Sequence, residues 1–197
     1  MKFPFEQEII LENDKVLLRP LALNDLGNLL PIAISEEDLL QYSPRQIYTE
    51  ELLKENIGVM LSEKSKRTRY PFIIFDKKQQ KWAGSTSFLN ISEIDSRVEI
   101  GSTWIGREFQ RTGLNRNCKY LLLGYCFEGL DVMRVELKTD ERNAASRNAI
   151  ERIGAKFEGI LRSHTLMSDG YRRSTVYYSI LKEEWPQVKE RFPIFDN

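Results

Sequence analysis

Apolar positions along this chain change period several times, and each change marks an element. Lys15 to Pro20 (KVLLRP) reads as a first strand, ended by a proline that cannot donate to a ladder. Asn24 or Asp25 can cap a following helix, in which Leu26, Leu29 and Leu30 share a face before Pro31 disturbs the pattern. Thr49 starts a second helix, with Glu50 and Glu51 in its first turn and Leu53, Ile57, Met60 and Leu61 at helical spacing. From Tyr70 the pattern turns to strands: YPFIIFD, a polar KKQQ turn, WAGSTSFLN, a polar break from Ser92 to Ser96, then RVEIGSTWI. A three-stranded antiparallel meander is the simplest arrangement.

After Gln110 the helical period returns. Leu114, Cys118, Leu121, Leu122 and Tyr125 fall on one face of a strongly amphipathic helix. A strand (MRVELKT, 133–139) follows, then a helix from Asn143 to Ile153 closed by Gly154, two strands around Ser168-Asp169-Gly170, and a short helix in KEEWPQVKERF. This order predicts an α/β (α+β) fold: a mixed, mostly antiparallel sheet with helices on both faces. No repeat or Pro/Gly-rich linker interrupts the chain, so residues 1–197 are expected to form a single domain.

Composition narrows the function. The 197 residues suffice for one sizeable core, and 29 Lys+Arg cancel 29 Asp+Glu, leaving no general basic field for nucleic acid. Cys118 and Cys126 lie on one predicted helix about 12 Å apart in rise, too far to bridge, and Cys118 falls on its apolar face. His164 is the single histidine and has no partners for a metal site, so no metal cofactor is expected. The longest apolar run, Tyr120 to Phe127, is far short of the roughly 20 residues that span a bilayer. The expectation is a cytoplasmic protein with no membrane partner.

The stretch that carries chemistry is Thr103 to Leu123 (TWIGREFQRTGLNRNCKYLLL), where a strand runs through a short loop ending in glycine into a helix. The first N–H groups of a helix lack internal partners and lie at the positive end of its dipole, which makes such a junction an anion site. Gly113 would let backbone approach a phosphate closely. Arg107, Arg111, Arg116, Lys119, Arg142 and Arg147 cluster in and after this stretch and suggest a polyanionic ligand. Neither G-x-x-x-x-G-K-[ST] nor G-x-G-x-x-G is present.

The run Gln110-Arg111-Thr112-Gly113-Leu114-Asn115 resembles the Q/R-x-x-G-x-G/A pyrophosphate loop of the GNAT acetyltransferase superfamily, with Asn115 where Gly or Ala is usual. WIGREFQRTGLN resembles the form found in its ribosomal-protein N-acetyltransferase branch. KVLLRPLALND, NAASRNAIERIGAKFEG and DGYRRSTVYYSILKEEW resemble further segments of that branch, in the right order from about residue 10 to 185.

The resemblance implies transfer of an acetyl group from acetyl-CoA, as co-substrate, to a primary amine. It implies that Gln110, Arg111, Thr112, Gly113, Leu114 and Asn115 cradle the pyrophosphate. Backbone at Trp104 and Ile105 would pair with the pantetheine, an N–H near Trp104 or Ile105 would donate to the oxyanion, and Asn143 would bond the pantetheine arm, against a plain N-cap role. Glu99 would accept the amine's proton, directly or through water. A tyrosine common in the family is replaced by Ile150, and Ser146 would instead serve the departing thiolate. Of Tyr177 and Tyr178, one is expected in the core and the other at the acceptor mouth.

The expected acceptor is a protein or peptide N-terminus. A small amine such as an antibiotic or polyamine is the alternative, and a non-catalytic acyl-CoA-binding module is a third reading. Acceptor choice would lie in Asp25–Leu61, including Ser35–Tyr48, and in the loop near Ser163–Tyr171. Exposed edges at the last strands could pair two subunits as a homodimer.

Overall fold

Strand propensity and turn chemistry build a single eight-stranded sheet in the computed structural model, which describes residues 1–192. The strands are β1 (Leu11–Glu12), β2 (Val16–Pro20), β3 (Arg69–Asp76), β4 (Lys81–Ser92), β5 (Arg97–Ile105), β6 (Arg134–Asp140), β7 (Lys156–Leu166) and β8 (Arg172–Leu181). Their spatial order is β1-β2-β3-β4-β5-β6-β8-β7, and only β5 and β6 pair in parallel. The expected meander is β3, β4 and β5. The two-residue β1, too short to show a period, was not foreseen.

Five helices cover both faces: α1 (Leu26–Ala33), α2 (Glu50–Ser65), α3 (Leu114–Gly124), α4 (Ala144–Arg152) and α5 (Trp185–Lys189). Leu29, Ala33, Leu53, Ile57 and Met60 of α1 and α2 pack on Ile73 and Trp104. On the other face, Cys118 and Leu122 of α3, Ile150 of α4 and Trp185 and Val188 of α5 close a larger core over Phe72, Phe88, Val98 and Val135.

One local expectation changes, at Asp25. Thr49 caps α2 as expected, its Oγ1 accepting from Leu52 N–H at 3.2 Å. Asp25, by contrast, turns inward: its carboxylate accepts from Ala22 N–H at 2.9 Å and from both terminal nitrogens of Arg19 at 2.9 and 2.6 Å. Pro31 stands within α1, where its missing N–H leaves only the carbonyl of exposed Gly27 without a helical donor.

Candidate active site

β5 and β6 stay paired for only three positions, Arg97–Arg134, Val98–Val135 and Glu99–Glu136. Beyond Glu99, β5 remains bonded to β4 and β6 to β8, so the two strands part and open a gap in the middle of the sheet. A bulge bends β5 there. Ser85 faces Trp104 and Ser87 faces Gly101, three steps on β5 against two on β4, and Ser102 adopts φ +48°. Gly106 N–H donates to Ala83 O at 3.0 Å, so antiparallel alternation turns the preceding N–H, that of Ile105, away from β4 toward the gap. The Trp104 N–H, one position earlier, turns toward β4, and its indole is buried beneath α1 and α2.

At the end of β5 the chain makes a tight turn over Arg107–Phe109 and enters α3 through Gly113. Gln110 Nε2 donates to Ile105 O at 3.0 Å and Thr112 Oγ1 to Phe109 O at 2.7 Å, which ties the loop to itself. Leu114 N–H is loosely held by Thr112 Oγ1 at 3.3 Å. The N–H groups of Asn115 and Arg116 have no acceptor among the described residues, as expected for an uncapped first turn. Gly113 has φ +91°, and the space where its Cβ would stand is open to 4 Å. Donors and space suit a diphosphate. Asn115 Oδ1 is buried without a hydrogen bond.

The basic cluster read from the sequence does not assemble around this loop. Arg107 pairs with Glu36 and Asp38, at 3.0 and 2.6 Å. Arg116 donates to Arg191 O and lies over the Phe192 ring. Arg142 pairs with Asp140 at 2.8 Å, and Arg147 reaches Tyr178 Oη at 3.3 Å. Lys119 is buried and donates to Thr103 Oγ1 at 2.7 Å, and burial lowers its pKa to about 8. Arg111 is the exposed cation of this set left beside the loop among the described residues. An anion at this loop would meet backbone amides and Arg111 rather than a basic field.

Glu99 faces the opposite side of the gap, toward α1 and α2, and is 2% exposed. Its Oε2 accepts from Asn90 Nδ2 at 2.7 Å and pairs with Lys138 Nζ at 2.9 Å. Its Oε1 lies beside Gly101, where an added Cβ would come within 2.9 Å. One oxygen is thus held while the other has no protein donor among the described residues. Around Glu99 stand Arg69 and Arg173, both buried and both drawn to its charge, and Tyr177, which lies under the Lys138 ammonium. The sequence reading missed Asn90, Lys138, Arg69 and Arg173. The signal was the alternation of polar residues on central strands, Glu136-x-Lys138-x-Asp140 and Arg173-x-Thr175-x-Tyr177-x-Ser179, on a face expected to be apolar.

Asn143 caps α4, its Oδ1 accepting from Ser146 N–H at 3.0 Å, so the plain N-cap role is observed and the Nδ2 remains for a ligand. Ser146 therefore sits in the first turn of α4, on the same side of the sheet as α3, and Ile150 packs into that core. Tyr178 is the core tyrosine and Tyr177 the one on the Glu99 face. Both cysteines are free and fully buried, and burial pushes the Cys118 thiol up to about 12, which rules it out as a nucleophile. His164 bonds Thr175 Oγ1 at 3.1 Å on the sheet surface. No cluster of three metal-binding side chains and no helix long and apolar enough to cross a membrane occurs among the described residues.

The chain is similar to known acetyltransferases in sequence and in fold. The "Putative ribosomal N-acetyltransferase YdaF" of Bacillus subtilis (strain 168) is 37% identical over 106 residues, 54% of this chain and 57% of that protein. The match thus spans little more than half of that relative's length. The crystal structure of a "putative acetyltransferase" from T. thermophilus superposes with a TM-score of 0.85 at 34% identity, covering 98% of this chain and 97% of the other. Mycobacterium smegmatis RimJ in complex with CoA-disulfide shares the fold, with a TM-score of 0.75 at 20% identity over 93% and 91% of the chains. Residues 15–156 match the Acetyltransferase (GNAT) domain, and the chain belongs to this family of N-acetyltransferases.

Proposed function

We propose that this protein transfers an acetyl group from acetyl-CoA to the N-terminal amine of a protein or peptide, the whole chain acting as one domain. The observation that carries the reading is the parting of β5 and β6 after Glu99, with a loop of unpaired amides at the end of β5 on one face and a buried carboxylate on the other. Bound acetyl-CoA supplies the activated acetyl thioester. The amides of Asn115 and Arg116, with Gln110, Arg111, Thr112, Gly113 and Leu114 around them, hold its diphosphate. Ile105 N–H, facing the gap, donates to the acetyl carbonyl oxygen as charge develops there. Backbone at Trp104 and Ile105 and the Asn143 amide line the pantetheine path.

The acceptor enters from the α1–α2 face. It arrives as an ammonium, and Glu99 Oε1 takes its proton, directly or through a water, so that the free amine can attack. Lys138 and Asn90 hold Oε2 and fix the carboxylate's direction. Ser146 Oγ hydrogen-bonds the leaving sulfur. The ribosomal N-acetyltransferase description of the Bacillus subtilis relative favours a protein amine over a free polyamine or antibiotic. Incubation with acetyl-CoA and a panel of N-terminal peptides, polyamines and aminoglycosides, read by mass spectrometry, tests this. The expected result is one acetyl group gained on a peptide. Acetyl-CoA binding without acetylation of any amine would instead support the non-catalytic module.

A further inference from the structure

Charges on the Glu99 face do not balance. Arg69 pairs with Glu63 at 3.0 Å, Lys138 with Glu99 at 2.9 Å and Arg142 with Asp140 at 2.8 Å. Each of these carboxylates has its own cation, and Arg173 is left over. Arg173 is 8% exposed, its Nη1 donates to Tyr42 O at 2.8 Å, and its Nε is buried with no hydrogen-bond partner among the described residues. No carboxylate lies within salt-bridge distance of it among the described residues. An orphaned donor on a buried cation is costly, and a guanidinium is satisfied best by a planar, two-oxygen anion. Arg173 shares its face of β8 with Thr175 and Tyr177, four residues along the strand from Tyr177, whose ring lies beside the Lys138 that pairs with Glu99.

We propose that Arg173 anchors a carboxylate of the acceptor, so that the preferred substrate is an amine with an acidic group close to it, such as a peptide with Asp or Glu next to its N-terminal residue. This rests on the acetyl-transfer reading and refines it. The same excess of positive charge repels polyamines and aminoglycosides, whose additional ammonium groups would stand against the uncompensated Arg173. Burial holds the Arg173 pKa below its ordinary value, and a carboxylate in contact would restore it.

The test is calorimetric binding, in the presence of CoA, of peptide pairs that differ only by Asp or Asn after the N-terminal residue, with the free amino acid aspartate as a third ligand. Wild-type protein is expected to bind the Asp peptide roughly 10- to 100-fold more tightly than the Asn peptide. In Arg173→Met that preference should vanish, and in Arg173→Lys it should fall to a few-fold, because one ammonium replaces a two-pronged donor. Tight binding of free aspartate would locate the carboxylate on the amino acid itself rather than on a neighbouring side chain. Equal binding of the two peptides by wild type overturns the proposal, as does an equal loss for both in Arg173→Met, which would mark the side chain as a mere strut for Tyr42. Acetylation is scored in parallel. An Arg173-dependent acidic preference with no acetyl transfer would support the anion site while counting against the transferase reading.

Discussion

Lys119 offers a test of the buried polar layer beneath the bulged strand. It projects from α3 against Thr103, is 8% exposed, and has no carboxylate partner among the described residues. Burial lowers its pKa from 10.5 to about 8. A tenfold change in proton affinity corresponds to about 1.4 kcal/mol, so the protonated form costs the native state about 3 kcal/mol relative to the unfolded chain. Below pH 8 both states are protonated and this cost is borne in full. Between about pH 8 and 10.5 the native lysine has released its proton while the unfolded one still holds it, and stability rises with pH by that amount. Lys119→Met keeps the length of the side chain and removes the charge, at the loss of one hydrogen bond worth about 1 kcal/mol. The variant should therefore be more stable than wild type near neutrality, by about 2 kcal/mol, and lose that advantage as pH approaches 10.5. Urea unfolding of both proteins across this range reads the difference directly, because the titrations of Cys126 and the tyrosines are shared by both curves, and Cys118, raised to about 12 by burial, stays protonated across it. A stability difference that stays constant with pH would refute the reasoning.

Other substitutions probe the site and its frame. Gly101→Ala places a Cβ 2.9 Å from Glu99 Oε1 and 3.0 Å from Leu89 Cδ1, so kcat should fall about tenfold while acetyl-CoA affinity, measured by calorimetry, stays unchanged. Gly113→Val forces a β-branched residue to φ +91° at the cradle, and acetyl-CoA binding should weaken at least about tenfold while circular dichroism shows the fold retained; equal affinity would remove the cradle. Asp25→Ala strips a buried carboxylate from Arg19 and should cost about 3 kcal/mol in chemical denaturation, whereas a loss below about 1 kcal/mol would show the pair to be dispensable.

Elements with a clean period were readable from sequence. The β3–β5 meander, the amphipathic α3 and the Gly154 helix end all follow from local spacing or from a residue type with one conformational use. What escaped depends on contacts between distant segments. The bulge at Ser102 exists because β5 must bend relative to β4, and Ser102 is not a residue type that marks a positive φ. Asp25 looked like a cap because short acidic residues before helices usually are, yet Arg19, six positions earlier on β2, draws it inward. Likewise the basic residues near α3 form a cluster in sequence, but the fold sends Arg107 to Glu36 and Asp38 and Arg116 to the C-terminal segment. Glu99 could be singled out through family likeness, whereas its supports Asn90 and Lys138 come from two other strands.

The most direct test of Glu99 as the proton acceptor is the pH dependence of kcat/KM for wild type and Glu99→Gln on an acetylated peptide's parent amine. The variant should be slower by roughly a hundredfold near neutral pH and recover part of that loss as pH rises and the amine deprotonates unaided. A variant whose rate and pH profile match wild type would contradict the role of Glu99 and, with it, the chemical meaning of the gap between β5 and β6.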